Sequence, residues 1–377
     1  MPLGPMAETA MPLGAGTDGK EAAMAGSADP PAGRGALRVG IVGLASLYWP
    51  RALAENLARL PRARLLAAAH LGEGDEQIAA TLGMSSGQFA ETFGVKLYEG
   101  IEEMIEAEGL DAVAVCTRHT LHAEHVERSA GAGADVYLCK TMATTRADCD
   151  RIVEAGRRHG VRIAVGPGGR FQPHHAAARQ AVEAGRVGRA VAVRIAHNHG
   201  TIDVFGPTDW YRDPAEGGPE LSLGWYVIDV LRSIVPRPVR RVFAEYGNFS
   251  SPGSPFMDQG KIVLRFDDET IGACDMYFSN RFGFPTWNLE VIGTEGAIRT
   301  HAGRAGDGVP RAVLWTSAGP EPLEVAEGDN WTADTAAWVA AFADDGPPPL
   351  DAEEARAITE ICLACRQSAR TGQAVTL

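Results

Sequence analysis

The stretch that decides the fold is Leu37-Arg-Val-Gly-Ile-Val-Gly43-Leu-Ala-Ser-Leu-Tyr48. Its first six residues form an almost unbroken apolar run, which is typical of a strand buried on both faces of a parallel sheet. A glycine follows, and the residues from Pro50 to Arg59 carry apolar side chains at helical spacing. A strand, a glycine turn and a helix in this order indicate the first unit of a dinucleotide-binding domain.

The turn itself departs from the usual glycine pattern. Gly43 stands where the chain must turn, but Ala45 stands where backbone would approach a pyrophosphate, and Tyr48 where the helix packs on the strand. The free N–H groups at the helix start still favour a phosphate. We therefore expect Gly43, Ala45, Ser46 and Leu47 to bind the cofactor, although the motif alone also fits a plain strand-to-helix turn.

The residue that would read the adenosine ribose is not the usual acid. An Asp or Glu is expected about 20 residues after the turn, where it binds the ribose 2′-hydroxyl. The chain has His70 there, with Glu73 and Asp75 just beyond. Because an imidazole is neutral or positive, it tolerates a 2′-phosphate, and both NAD and NADP remain open.

Strand and helix patterns alternate from residue 36 to residue 166. Apolar runs such as Ala112–Cys116 are separated by amphipathic stretches such as Arg146–His159. This alternation predicts an α/β domain with a doubly wound parallel Rossmann sheet. Residues 1–35 are rich in Gly, Pro, Ala and Met and lack periodicity, which predicts a disordered tail or a start codon placed too early.

After residue 166 the pattern changes to polar-alternating strands. The expected strands Gln259–Phe266 and Thr270–Phe278 are joined by the sequence Asp-Asp-Glu-Thr, which is typical of hairpin turns. Helices are expected at 174–184, 222–233, 333–343 and 352–370. Residues 167–377 are therefore predicted to form a C-terminal α+β domain with a large, open, mostly antiparallel sheet.

Composition limits the possible partners. The net charge of −13 argues against nucleic acid, which needs basic surfaces. No apolar run approaches the roughly 20 residues of a membrane span, so we expect a cytoplasmic protein without a membrane partner. The six cysteines mostly lie in apolar runs and are expected to be buried thiols. The spacing of Cys362 and Cys365 leaves a metal or redox pair as an alternative.

Six segments, taken in order, resemble the glucose–fructose oxidoreductase, inositol dehydrogenase and MocA (Gfo/Idh/MocA) family. Each match is modest, but they follow the family's order from about residue 37 to the C-terminus. The segments are Gly40–Gly43, Thr117–His122 (family Thr-Pro-Asn-x-x-His), Cys139–Thr141 (family Glu-Lys-Pro), Gly169–Pro173 (family Arg-Phe-x-Pro), Trp210–Gly218 (family Trp-x-Arg-Asp-Pro with Gly-Gly) and Ile292–Gly296.

The resemblance implies a bound nicotinamide dinucleotide, NAD or NADP, with Lys140 between cofactor and substrate. A position directly after a buried parallel strand suits that role, since ligands bind beyond the carboxyl ends of such strands. The expected cofactor contacts are Gly43, Ala45, Ser46, Leu47, His70, Thr117, Arg118, His119, His122, Cys139 and Lys140.

The family pattern Asp-x-Gly-x-His-x-x-Asp resembles the segment from Ser222 to Asp229. Tyr226 replaces the histidine, so we expect it to be the proton donor or acceptor, with its pKa lowered by the Lys140 charge. Packing of the Tyr226 ring is the alternative. Ser222 replaces the aspartate that usually assists the histidine.

Two departures concern the segment around Lys140. Cys139 replaces the family's glutamate, which removes an expected contact to the nicotinamide ribose. Thr141 replaces the proline, and a cis bond before a residue other than proline costs about 3 kcal/mol. We therefore expect a trans Lys140–Thr141 peptide bond.

The substrate is expected to lie against side chains from the second domain. His197 and His199 alternate on a strand and so face one side, where they line a sugar pocket, lie at the surface, or bind a metal with Asp203 or Asp213. We favour the pocket and expect no metal. The full set of expected substrate contacts is Arg170, His197, His199, Trp210, Tyr211, Arg212, Ser222 and Tyr226.

These features predict an NAD(P)-dependent enzyme that transfers a hydride between nicotinamide and a carbinol of a sugar, polyol or related cyclic substrate. One alternative is an epimerase or glycosidase-like enzyme that regenerates a tightly bound NAD in each cycle. Another is a non-catalytic binding protein on the same fold. We expect a homodimer or homotetramer formed through the second sheet. We assign Trp287, Leu289 and Val291 to the exposed face of that sheet.

Overall fold

The computed structural model describes residues 35–200, 209–250, 253, 255–278, 286–302 and 311–377. The predicted N-terminal tail, apart from Gly35, lies outside the described residues, and so does Asp203.

The first sheet is parallel and has six strands. They are β1 (Leu37–Val42), β2 (Ala63–Ala69), β3 (Lys96–Tyr98), β4 (Ala112–Val115), β5 (Asp135–Cys139) and β6 (Ile163–Gly166). Their spatial order, β3-β2-β1-β4-β5-β6, is that of a doubly wound dinucleotide-binding domain. The order reverses between β1 and β4, so ligands are expected at the carboxyl ends of these strands.

Helices connect the parallel strands on both faces. They are α1 (Trp49–Leu57), α2 (Asp75–Leu82), α3 (Ser86–Phe93), α4 (Ile101–Glu108), α5 (His122–Gly131) and α6 (Arg146–His159). Ile78, Leu82 and Phe89 form an apolar pattern that predicts one helical stretch, but the structure has two helices here. Gly83 ends α2 with φ +72°, and the Ser85 hydroxyl then caps α3 by accepting from the Gln88 N–H.

The second sheet has nine strands. They are β7 (Ala190–His199), β8 (Val239–Gly247), β9 (Gln259–Phe266), β10 (Ile271–Phe278), β11 (Trp287–Gly293), β12 (Gly296–Ala302), β13 (Ala312–Thr316), β14 (Gly319–Pro322) and β15 (Val375–Thr376). The sheet order is β14-β13-β12-β11-β7-β10-β9-β8-β15, and only the β7–β10 pair is parallel. The predicted fold class, a Rossmann domain with a mostly antiparallel sheet domain, is confirmed.

Helices from the C-terminal half cover both sheets. The helices α7 (Pro173–Glu183), α8 (Gly218–Ile234) and α10 (Ala352–Thr371) pack on one face of the second sheet. By contrast, α9 (Asn330–Ala343) contacts β1 and α1 of the first domain. The predicted domain boundary at residue 166 stays a prediction. Helix α9 lies after that boundary in the sequence but packs against the first domain.

The open face of the second sheet differs from our expectation. Trp287, Leu289 and Val291 are buried, because these alternate positions of β11 face the helices rather than solvent. The open face instead carries exposed Ile271, Ile292 and Trp315.

All six cysteines are buried thiols, as expected. Cys362 and Cys365 lie within α10, and no group of three or more metal-binding side chains was found among the described parts of the chain. A search of the helices within those same parts found none long and apolar enough to cross a membrane.

Candidate functional site

The turn after β1 is built around Gly43. Its φ is +85°, and a Cβ at this position would lie 2.4 Å from Cγ2 of Thr117. Only glycine therefore brings the turn this close to the end of β4. The N–H groups of Leu44 and Ala45 both donate to the Glu73 carboxylate, at 2.7 and 3.0 Å. The turn thus already holds one anion, which is what a dinucleotide-binding turn must do.

The rest of the turn is held by residues from both domains. Ala45, Ser46 and Leu47 are buried. The Ser46 hydroxyl donates to the Cys116 carbonyl, and Trp210 donates its indole N–H to the Ser46 carbonyl at 2.6 Å. Trp210, expected to touch substrate, therefore lies against the turn after β1 and fixes the second domain to it.

The Tyr48 side chain does not fill the interior of the turn after β1. Its side chain is half exposed, and its ring lies 5.9 Å from that of Trp331.

The loop after β4 brings together the predicted residues Thr117, Arg118, His119 and His122. His122 is fully buried, and its two ring nitrogens lie 3.0 Å from the Thr117 carbonyl and 2.9 Å from the Thr141 carbonyl. Because burial lowers the pKa of His122 to about 4, the ring is neutral. This geometry ties the loop to the segment after Lys140.

His119 is presented differently. Its Nδ1 donates to the Glu216 carbonyl at 2.8 Å, so its Nε2 is an acceptor. That Nε2 is buried and has no hydrogen-bond partner in the described structure. Burial lowers the pKa of His119 to about 3, so the acceptor stays unprotonated. Arg118, next to it, is exposed.

Lys140 follows β5 and points towards α8. Its Nζ lies 2.6 Å from the Ser222 hydroxyl oxygen and 3.3 Å from the Ser222 carbonyl. Burial lowers the pKa of Lys140 to about 7. Groups of this kind, titrating near neutral pH inside a protein, are concentrated at functional sites.

The Lys140–Thr141 peptide bond is cis, so our expectation of a trans bond was wrong. Both sides of the bond are held by neighbours. The Lys140 N–H donates to the Gly166 carbonyl at 2.6 Å, and the Thr141 carbonyl faces His122.

Tyr226 and Lys140 converge from different domains, as the resemblance implied. Nζ of Lys140 lies 4.3 Å from the centre of the Tyr226 ring. The ammonium thus lies over the ring face, and burial raises the pKa of Tyr226 well above its usual value. The expected lowering of the phenol pKa is therefore not found.

His197 and His199 face the same side of β7, with ring centres 5.5 Å apart. The His197 ring stacks on Trp287 at 3.7 Å and meets Tyr226 edge-on at 5.7 Å. Burial lowers the pKa of His197, and that of His199 to about 4. The predicted histidine pair therefore forms a neutral, aromatic wall beside Tyr226.

Other predicted residues lie apart from this cluster. Arg170 is held by Asp229 and Glu354 in a nearly buried ion-pair network. Cys139 is buried with its sulfur 3.5 Å from that of Cys116. His70 directly follows β2, and its carbonyl accepts from the Glu73 N–H at 2.8 Å.

Two predicted substrate contacts remain, Tyr211 and Arg212. Tyr211 is buried beside Trp210, with ring centres 5.4 Å apart. Arg212 is partly exposed.

Sequence reasoning missed two carboxylates in the site. Glu73 reaches the turn only because Leu71 and Gly72 both adopt positive φ, at 55° and 75°. Glu216 is buried and accepts from the Thr120 hydroxyl at 2.6 Å, which joins the two domains. Glu73 had a sequence signal, since it lies just beyond the expected ribose position, whereas Glu216 had none.

Comparison with known proteins identifies the family of the chain. Residues 37–167 match the model of an oxidoreductase family with an NAD-binding Rossmann fold, and residues 175–299 match the GFO/IDH/MocA C-terminal domain. Together the two matches cover more than half of the chain.

Two similar curated proteins are named for sugar or polyol chemistry. Myo-inositol 2-dehydrogenase of Thermotoga maritima is 29% identical over 70% of this chain and 74% of that protein. The 1,5-anhydro-D-fructose reductase of Ensifer adhaerens is 27% identical over 75% of this chain and 84% of that protein.

A solved structure, a probable dehydrogenase from Thermotoga maritima, superposes with a TM-score of 0.74. It is 25% identical, and the match covers 90% of this chain and 99% of that one. The expected nicotinamide-dependent oxidoreductase class is confirmed by the family match. The chain belongs to the Gfo/Idh/MocA family of NAD-binding oxidoreductases.

Proposed function

We propose that the chain oxidises a secondary alcohol of a sugar or polyol, or reduces the matching ketone, with Lys140 as the proton-transfer group. The observation that carries this proposal is the buried Lys140 amine, which lies over the Tyr226 ring and has its pKa lowered by burial to about 7. Both relatives named above have names that denote hydride transfer at such a carbon.

The residues present fit a nicotinamide dinucleotide. Gly43 gives the close turn, and the N–H groups of Leu44 and Ala45 already attract an anion. The unpartnered Nε2 of His119 can accept a hydrogen bond from the nicotinamide carboxamide. When bound, the nicotinamide supplies the hydride acceptor or donor.

We assign the proton to Lys140 and orientation to Tyr226. A pKa of about 7 leaves part of Lys140 as the neutral amine, which can take the hydroxyl proton during oxidation. Tyr226 keeps its proton, because its pKa is raised, and so serves as a hydrogen-bond donor to the substrate oxygen.

The neighbouring surfaces suit a ring bearing hydroxyl groups. His197, His199 and Trp287 present aromatic faces with polar edges, a combination that holds apolar ring faces and hydroxyl groups together. Trp210, Tyr211, Arg212 and Ser222 remain candidates for further contacts.

We propose that NAD is preferred over NADP. The Glu73 carboxylate lies just beyond the end of β2, where the adenosine ribose is expected, and it would repel a 2′-phosphate.

We also propose a homodimer or homotetramer formed through the open face of the second sheet. Five residues are cross-strand neighbours in a single row, in the order Ile271, Ala192, Ile292, Ala297 and Trp315. This register places an apolar row across five strands, and such a row favours a second copy. A cytoplasmic location is proposed from the six unpaired thiols.

The proposal is tested by identifying any dinucleotide retained through purification and then screening inositols, aldoses and their ketones for a change in reduced-nicotinamide absorbance. We expect NAD-linked oxidation of at least one cyclic polyol or sugar. Product formed without net NADH change would instead indicate internal recycling of NAD. No binding of either dinucleotide would contradict the enzyme assignment.

A further inference from the structure

His119 presents a buried hydrogen-bond acceptor close to Lys140. Its side chain is 2% exposed, and its Nε2 has no hydrogen-bond partner in the part of the chain that the structure describes. The indole ring of Trp49 has its centre 6.2 Å from the centre of the His119 ring and 6.0 Å from Nζ of Lys140. A buried acceptor without a partner costs free energy. A ligand bound beside Lys140 can supply the missing donor.

Glu216 of the second domain holds His119 and its neighbour Thr120 by three hydrogen bonds. The Glu216 carbonyl accepts from Nδ1 of His119 at 2.8 Å. The Glu216 carboxylate accepts from the Thr120 N–H at 3.0 Å and from the Thr120 hydroxyl at 2.6 Å. Because a carbonyl can only accept, Nδ1 carries the ring proton and Nε2 is left without one. A single residue thus fixes both the place and the tautomer of the His119 ring.

The Glu216 carbonyl is itself held by a tight turn. Gly217 has a φ of +88°, and a Cβ there would lie 2.4 Å from Cδ2 of Leu221, so the turn requires glycine. The Glu216 N–H donates to the Asp213 carbonyl at 3.0 Å, and the Gly217 N–H donates to the Pro214 carbonyl at 3.1 Å. The direction of the Glu216 carbonyl is therefore set by the backbone of the second domain.

We propose that Glu216 positions His119 to accept a hydrogen bond from the carboxamide N–H of the nicotinamide, so that the chain selects dinucleotides with an amide on the pyridine ring. This inference rests on the proposed function and names the group of the cofactor that the site recognises. Because burial lowers the pKa of His119 to about 3, Nε2 stays an acceptor near neutral pH. It cannot form a hydrogen bond with a substituent that only accepts.

The position of His119 favours the cofactor over the substrate as the donor. Its ring meets that of Trp210 edge-on at 5.3 Å, and the Trp210 indole donates to the Ser46 carbonyl in the turn after β1 at 2.6 Å. The groups assigned to the substrate, Tyr226 and His197, pack against each other instead. His119 therefore lies between the turn after β1 and Lys140. The carboxamide is the one N–H donor at the nicotinamide end of the cofactor.

The test is a fluorescence titration of the full chain with three dinucleotides that differ in one substituent. NAD and its thionicotinamide analogue carry an NH₂ group, whereas 3-acetylpyridine adenine dinucleotide carries a methyl group in its place. Wild type is compared with His119→Phe, Glu216→Ala and Glu216→Gln. Glu91→Ala, at an exposed position of α3, is the control.

We expect wild type and the control to bind NAD and the thionicotinamide analogue about tenfold more tightly than the acetylpyridine analogue, which leaves the acceptor unpaired. His119→Phe should bind all three within about twofold of one another, because the acceptor is gone. Glu216→Ala should lose most of the preference, whereas Glu216→Gln can still accept from Thr120 and should keep it. Equal affinity of wild type for NAD and the acetylpyridine analogue would overturn the proposal, as would full preference in folded Glu216→Ala.

A second measurement needs no variant at position 216. Long-range ¹H–¹⁵N NMR spectra of the full chain show which ring nitrogen carries the proton, and the His119 signals among those of the ten histidines are assigned by their loss in His119→Phe. We expect the proton on Nδ1 in the free wild-type chain. A proton on Nε2 would sink the proposal. Binding of none of the three dinucleotides would contradict the proposed function instead, and the tautomer in the free chain would still test the role of Glu216.

Discussion

At the scale of single residues, the account depends on the protonation of Lys140. Its pKa is lowered to about 7, and oxidation requires the neutral amine. We therefore predict that kcat/KM for alcohol oxidation rises with pH and levels off above about pH 7. Ketone reduction, which needs the ammonium, should show the opposite dependence. Initial rates across a pH series measure both, and parallel profiles for the two directions would contradict the assignment.

A second residue-scale prediction concerns Glu73. Replacing Glu73 by Gln removes the charge beside the turn but keeps a group that can accept from Leu44 and Ala45. We expect NADP affinity to rise about tenfold, or about 1.4 kcal/mol, relative to NAD. Fluorescence titration of both dinucleotides measures this ratio. An unchanged ratio would place the ribose elsewhere. Asp75→Asn is the matched control, because Asp75 is two residues further along the chain and its carboxylate accepts from the Ser86 N–H instead.

The residues of the site differ in how far sequence could predict them. Lys140 and Tyr226 follow from position, one after a buried strand and one on a helix with a family pattern. The pKa of Tyr226 was predicted in the wrong direction, because the sequence does not reveal that Lys140 lies over the ring face. The contact of Glu73 with the turn was not predicted, because it depends on the positive φ angles of two consecutive residues, Leu71 and Gly72.

At the scale of elements, helix α9 is joined to β5 by one buried carboxyl group. The Tyr137 hydroxyl donates to Asp334 at 2.6 Å, and the ring of Tyr137 stacks on Trp338 at 5.0 Å. Burial raises the pKa of Asp334 to about 7. The carboxyl group is therefore mainly protonated in the folded chain at mildly acidic pH, whereas in the unfolded chain it ionises near its ordinary value of about 4.

This difference predicts how stability depends on pH. The folded state holds a proton that the unfolded state loses, so the contribution of Asp334 is complete below about pH 4 and is lost as the pH rises to about 7. Asp334→Asn does not titrate. Between these two pH values, we expect the free energy of unfolding of the variant to rise relative to that of wild type by up to about 4 kcal/mol. This is about 1.4 kcal/mol for each unit of the pKa difference. Urea unfolding at several pH values measures the gain, and parallel stability curves would refute it.

Elements were predicted well where their pattern was long. The parallel strands and the helix over Arg146–His159 follow directly from apolar runs and helical spacing. The strands β13, β14 and β15 were missed, because they are short. β14 and β15 are the two edge strands and β13 lies next to one of them, where burial imposes little pattern. The role of α9 was also missed, since packing against a distant domain leaves no local signal.

At the scale of the whole molecule, the open sheet face should set the assembly. Ile292 lies in the middle of the apolar row and is exposed in the single chain. Ile292→Lys puts a charge into that row, and we expect it to convert the assembly to monomers. Light scattering after size exclusion measures the mass. Thr92→Lys, on exposed helix α3, is the control. A variant of unchanged mass would place the interface elsewhere.

The two-domain architecture also explains why the site lies between sheets. Trp210 and Glu216 from the second domain form hydrogen bonds with the turn after β1 and with the loop after β4, respectively. Lys140 from the first domain meets Ser222 and Tyr226 from the second. The overall fold could be read from the sequence, whereas these cross-domain contacts depend on packing that no local pattern encodes.

The most direct test is the rate of hydride transfer in Lys140→Met, followed by reduced-nicotinamide absorbance with a polyol that wild type oxidises. The variant keeps the length of the side chain but removes the amine. We predict a rate lower by about 10² to 10⁴-fold with NAD affinity nearly unchanged. A variant that oxidises the polyol as fast as wild type would contradict the assignment of Lys140 as the proton-transfer group.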